Sequence, residues 1–105
     1  MADAVKGQLE FMLLAVLRAG PAYGYVIIDQ LKRRSEGVFD LPESTVYPAL
    51  HRLEADGLLT SDWAVVNGRR RRTYRITDRG GAALDERKLE WRRFARAVSA
   101  VGETP

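Results

Sequence analysis

At 105 residues, with 46% apolar and 30% charged side chains, the chain has the composition of one globular domain and not of a disordered segment. It contains no cysteine, which excludes a disulfide framework and a thiolate metal site and fits a reducing compartment. The formal net charge of +3 is unevenly spread: residues 1–59 carry 6 basic and 8 acidic side chains, residues 60–80 carry 6 and 2, and residues 81–105 carry 5 and 4.

A positive excess confined to one short stretch points to a polyanion partner. Met1–Lys6 lacks the basic region of a secretory signal. The first apolar run, Phe11–Leu17, stops at Arg18 and is too short to span a bilayer. The expectation is a soluble cytoplasmic protein without a membrane partner.

Gln8–Ala19 reads as the first helix, with Leu9, Met12, Leu13, Val16 and Leu17 on one face and Ala19-Gly20-Pro21 ending it. Phe11, Leu14 and Ala15 form a second apolar face, as in a helix that is central or shared with a partner chain. A second helix is expected from about Tyr23 to Arg34, with Tyr23, Ile27, Ile28 and Leu31 inward and Lys32-Arg33-Arg34 in the last turn. The connection Ser35–Glu43 carries Val38, Phe39 and Leu41 and is expected to pack down.

The third helix, Ser44–Asp56, shows the clearest pattern: Val46, Leu50 and Leu53 make its core stripe, and Gly57 closes it. Ser44 or Thr45 can cap it. Pro48 is tolerable only within the first turn, so the helix is expected to start at about Thr45.

Leu58–Val66 and Arg71–Thr77 read as two strands of a hairpin turned at Asn67-Gly68, with Arg69 and Arg70 at or beside the tip. Period-two alternation puts Arg71, Thr73 and Arg75 on the face opposite Tyr74 and Ile76. A long helix of about Arg79–Val101 follows. Leu84, Trp91 and Val98 recur every seven residues, with Phe94 and Val101 three places on, which is coiled-coil spacing. Residues 102–105 are expected to fray.

Three helices, a hairpin and a further helix form the order of a winged helix-turn-helix, mainly α with a two-stranded β-hairpin, spanning residues 1–78, plus a dimerisation helix over 79–101. In that arrangement the third helix enters the major groove and offers Ser44, Thr45, Tyr47, Pro48, His51 and Arg52. The wing offers Arg69, Arg70 and Arg71 to phosphate. Arg72 falls on the Tyr74 side, where it can pair with an acid. Tyr47 stands equally as a core aromatic or as a phosphate contact. Trp63 reads as a residue packing the wing on the core.

"GYVIIDQL" (Gly24–Leu31), "STVYPALHRLEADGLL" (Ser44–Leu59) and "GRRRRTYRITDRG" (Gly68–Gly80) together resemble a PadR-family transcriptional regulator, over essentially all of residues 9–80. The single C-terminal helix with a mid-helix tryptophan resembles the short branch that includes multidrug-binding repressors. The resemblance implies a homodimer whose C-terminal helices pack against the partner's first helix, with Leu84, Trp91, Phe94, Val98 and Val101 at the interface. It further implies repression at a palindromic operator in double-stranded DNA, released by a small aromatic compound. It favours a backbone contact for Tyr25. It also suggests a ligand site from Phe11, Ala15, Trp91, Phe94 and Ala95, although at a heptad position Trp91 serves equally as interface core. Two departures stand out. Tyr23 replaces the histidine often found before Gly24-Tyr25, and Arg70 stands where a proline often separates the wing arginines, so a less sequence-selective wing is expected.

An enzyme finds no support in the sequence. It has no Ser/His/Asp or Cys/His set, and Glu54 and Asp56 point in different directions on their helix. One histidine cannot build a metal site, and no cofactor is expected. A winged-helix protein-interaction module would call for acidic or large apolar residues on the third helix and no wing charge. A ligand-independent autorepressor remains the other alternative.

Overall fold

A computed structural model describes residues 2–103 and 105, with residues 2–6 described through their backbone. The elements run α1 (Ala2–Arg18), β1 (Ala22–Tyr23), α2 (Gly24–Arg34), α3 (Glu43–Ala55), β2 (Leu59–Val66), β3 (Arg69–Ile76) and α4 (Asp78–Gly102). The architecture is a winged helix-turn-helix continued by a long C-terminal helix.

The core gathers Leu9, Leu13, Leu14, Val16 and Leu17 of α1, Ile27 and Leu31 of α2, and Val46, Ala49, Leu50 and Leu53 of α3. Leu59, Tyr74 and Leu84 complete it. The two apolar faces of α1 are thereby explained, since α1 lies against α2, α3, α4 and β3 at once. Burial pushes the Tyr74 hydroxyl above its ordinary pKa; the Glu54 carboxylate adds to this and the Arg72 guanidinium opposes it.

Several sequence expectations are corrected. The sheet has three antiparallel strands in the order β1-β3-β2, because Ala22 and Tyr23 pair with Tyr74 and Thr73. Tyr23 therefore belongs to an edge strand and not to the second helix. On α3 neither Ser44 nor Thr45 is the cap. Pro42 is, without a side-chain bond, so Pro48 lies in the second turn and cannot donate to the Ser44 carbonyl. The wall of core contacts from Val46, Ala49 and Leu50 holds the helix through that missing bond. Val38 is 74% exposed and does not pack, whereas Phe39 and Leu41 are half-buried. Ser35 organises that connection: its hydroxyl donates to the Leu31 carbonyl at 2.7 Å and accepts the Phe39 N–H at 2.8 Å.

The hairpin is tighter than expected. Val66 pairs with Arg69, leaving a two-residue turn at Asn67 and Gly68 with φ of 51° and 79°. Positive φ at both positions suits the turn that matches strand twist. β3 therefore starts at Arg69 and not at Arg71, with Arg69 and Arg70 beside the tip and paired in the strand.

At the base of α4, Thr77 accepts the Gly80 N–H at 3.0 Å and donates its hydroxyl to the Gly57 carbonyl at 2.7 Å. One side chain thus caps α4 and fastens it to the turn after α3. Arg18 adds bonds to the Gly81 carbonyl at 2.8 Å and to Asp85 at 3.1 Å. Gly102 ends α4 and Glu103 caps it, while Thr104, part of the tail expected to fray, lies outside the described residues.

Candidate nucleic-acid interface

The core stripe of α3 fixes which side chains face outward. Ser44, Thr45, Pro48 and His51 are exposed. Tyr47 is half-buried, with its ring against Gly24 at the start of α2, so it sits between core and surface. Tyr25 is 69% exposed in the first turn of α2. Arg52 is placed differently from the other candidates. Its Nε lies 3.4 Å from Glu10, whose other oxygen is 3.4 Å from Arg87, so the carboxylate bridges α3 and α4 through α1.

Register places the wing arginines on two faces. Arg70 and Arg72 share a face with Trp63 and Tyr74; Arg69, Arg71, Thr73 and Arg75 occupy the other. Arg72 approaches Glu54 at 3.9 Å, and Glu54 also accepts the Ser61 hydroxyl at 2.6 Å. Arg69, Arg70 and Arg71 make no ion pair among the described residues. Aromatic rings hold Arg70 and Arg71 instead, and one of them also meets Arg72. The Arg70 and Arg72 guanidinium carbons lie 4.9 Å and 5.5 Å from the Trp63 ring centre, and that of Arg71 lies 5.2 Å from Tyr23.

These rings are what sequence reasoning missed. Trp63 is 57% exposed and does not pack the wing on the core. Its partner was accessible by counting outward from the Asn67-Gly68 turn, which sets Trp63 opposite Arg72. Tyr23 carried no such signal, since its position depends on a pairing between residues about fifty apart in sequence.

A second feature lies where α4 meets α1. A groove of about 500 Å³ is lined by Gly7, Gln8, Phe11, Arg87, Glu90, Trp91 and Phe94, with the two rings of α4 6.1 Å apart. Phe11, Trp91 and Phe94 are therefore brought together on one groove. Ala15 is not with them: it lines an apolar groove of about 320 Å³ on another side of α1, beside Met12, Leu31 and Phe39. Ala95 is half-buried and lines neither. Leu84 is fully buried in the chain's own core, so the heptad divides. Trp91, Phe94, Val98 and Val101 stay 42–83% exposed along the rest of α4.

The family described as "Transcriptional regulator PadR-like family" matches residues 13–86. The chain belongs to this family. A transcriptional regulator of Mycobacterium tuberculosis is 45% identical over 76 residues, covering 72% of this chain and 68% of the relative. Among solved structures, a PadR-family regulator from Eggerthella lenta superposes with a TM-score of 0.83 at 33% identity, covering 100% of this chain and 91% of the other. A PadR-like transcription factor from Bacteroides fragilis gives 0.80 at 32%, covering 95% of each. This PadR-like chain is accordingly a transcriptional regulator and not an enzyme. Among the described residues, no helix is long and apolar enough to cross a membrane.

Proposed function

We propose that the protein is a homodimeric, cytoplasmic repressor that binds a palindromic site in double-stranded DNA. α3 reads base edges through Ser44, Thr45, Pro48 and His51, and the wing holds the backbone through Arg69, Arg70 and Arg71. Tyr25 and the Tyr47 hydroxyl add phosphate contacts. Arg52, engaged with Glu10, acts on the placement of α3 and not at the DNA surface.

The observation that carries this reading is that three adjacent arginines of the wing, the hairpin that follows α3, have no carboxylate partner among the described residues. Neutralised arginines would add little to counterion release; these retain their charge for phosphate. The Trp91-Phe94-Val98-Val101 stripe of α4 supports self-association through a coiled-coil-like seam. α4 is about 37 Å long at 1.5 Å per residue, enough to set two reading heads one or two helical turns of DNA apart.

The groove beside Trp91 takes a flat aromatic effector in the dimer. Its binding shifts the separation of the heads and weakens DNA binding by about 1–3 kcal/mol, as in typical allosteric coupling. The test is a gel shift of the purified protein on DNA upstream of its own gene. A retarded band that resists unrelated competitor DNA, and loses that resistance when Ser44 and His51 are replaced by alanine, is the expected result. No band on any promoter fragment at low salt would refute it.

A further inference from the structure

We infer that Trp63 is a positioning residue of the wing, whose indole holds the Arg70 side chain ready for the DNA backbone while leaving its charge available, and also stacks on Arg72, which shares its charge with Glu54. The inference rests on the DNA-binding reading above. Register puts Trp63 directly opposite Arg72 and diagonal to Arg70 on one face, and both guanidinium carbons lie within 5.5 Å of the indole centre.

The alternatives for ordering a long cation differ in consequence. An arginine left loose in water surrenders up to about 2 kcal/mol of rotamer freedom when it meets a phosphate. A carboxylate partner would order it but cancel the charge that the phosphate needs. An aromatic face orders it and leaves the N–H edge of the planar group open for bidentate contact. Arg70 makes no ion pair among the described residues, so the indole is the group that orders it. Trp63 is itself 57% exposed, an unfavourable setting for a large apolar ring whose task were core packing.

The experiment is a double-mutant cycle with a labelled duplex carrying the DNA upstream of the protein's own gene. Trp63→Ala should weaken binding about tenfold, because a loosened Arg70 must then surrender its rotamer freedom on meeting phosphate. The slope of log affinity against log salt should stay unchanged, because no charge is removed. In a background with Arg70→Ala and Arg72→Ala, the same change should weaken binding less than about twofold. Trp63→Phe, which keeps an aromatic face and the wing's packing, should recover most of the affinity and covers the case in which Trp63→Ala disturbs the fold. An undiminished affinity in Trp63→Ala, or an equal loss with and without the two arginines, would overturn the inference. Failure of the wild-type protein to bind the duplex at low salt is a separate result, and sinks the DNA-binding reading itself.

Discussion

Gly80 and Gly81 are neighbours in the first turn of α4, yet alanine should act on them in opposite directions. A Cβ at Gly80 would strike the Leu58 carbonyl oxygen, come within 2.8 Å of Ile76 Cγ1 and within 3.0 Å of the Leu58 carbonyl carbon. Two of those three atoms are backbone, so α4 must lift off the turn that starts β2. Overpacking of this kind costs about 1–3 kcal/mol, and a rigid neighbour argues for the upper half. Replacing a helical glycine by alanine returns about 1 kcal/mol, leaving Gly80→Ala destabilised by about 1–2 kcal/mol. A Cβ at Gly81 would meet only the Arg18 guanidinium at 3.5 Å, an ordinary contact, so Gly81→Ala should gain up to about 1 kcal/mol. At about 5 °C per kcal/mol for a domain of this size, the two melting temperatures should differ by roughly 5–15 °C. Thermal unfolding followed by far-UV circular dichroism at one protein concentration measures this. Equal melting temperatures, or a Gly80→Ala protein more stable than wild type, would refute the close-packed junction. Because this contact sets how α4 leaves the winged domain, Gly80→Ala should also weaken DNA binding under conditions where it stays folded.

The division of the heptad predicts two different failures. Leu84→Ala should lower stability by about 2–5 kcal/mol, read by urea unfolding, whereas Val98→Asp should leave the chain folded but monomeric in sedimentation equilibrium. Tyr74 has a raised pKa in the fold, so its contribution is full below the unfolded value of 10.0 and is lost as pH rises through the higher folded value. Urea midpoints should therefore decline above pH 10, and Tyr74→Phe should make that decline shallower. Glu10→Gln leaves the half-exposed Arg52 and Arg87 facing each other without a carboxylate, and should cost about 1 kcal/mol at low salt, less at high salt.

Much of this molecule was legible because its signals are local. The helical spacing of Val46, Leu50 and Leu53, the Asn67-Gly68 turn and the Gly57 stop are each set within a few residues. What escaped was set at a distance. β1 exists only because Ala22 and Tyr23 meet β3. Leu84 repeats in register with Trp91 and Val98, but seven-residue spacing cannot tell a chain's own core from a seam with another chain. Arg52 shares an outward-looking helical position with His51, but Glu10, forty-two residues earlier, holds it. Pro48 misled in the opposite way, since core contacts carry α3 through a missing hydrogen bond that local rules would place at a helix start.

The central claim is that unpaired wing arginines bind DNA phosphate, and the salt dependence of binding tests it most directly. Affinity for the upstream duplex should fall steeply with salt. Changing Arg69, Arg70 or Arg71 to alanine should flatten the log–log slope by about one unit for each protomer bound. Arg72→Ala, with its charge shared with Glu54, should flatten it less. A slope unchanged by removal of all three unpaired arginines would contradict the account.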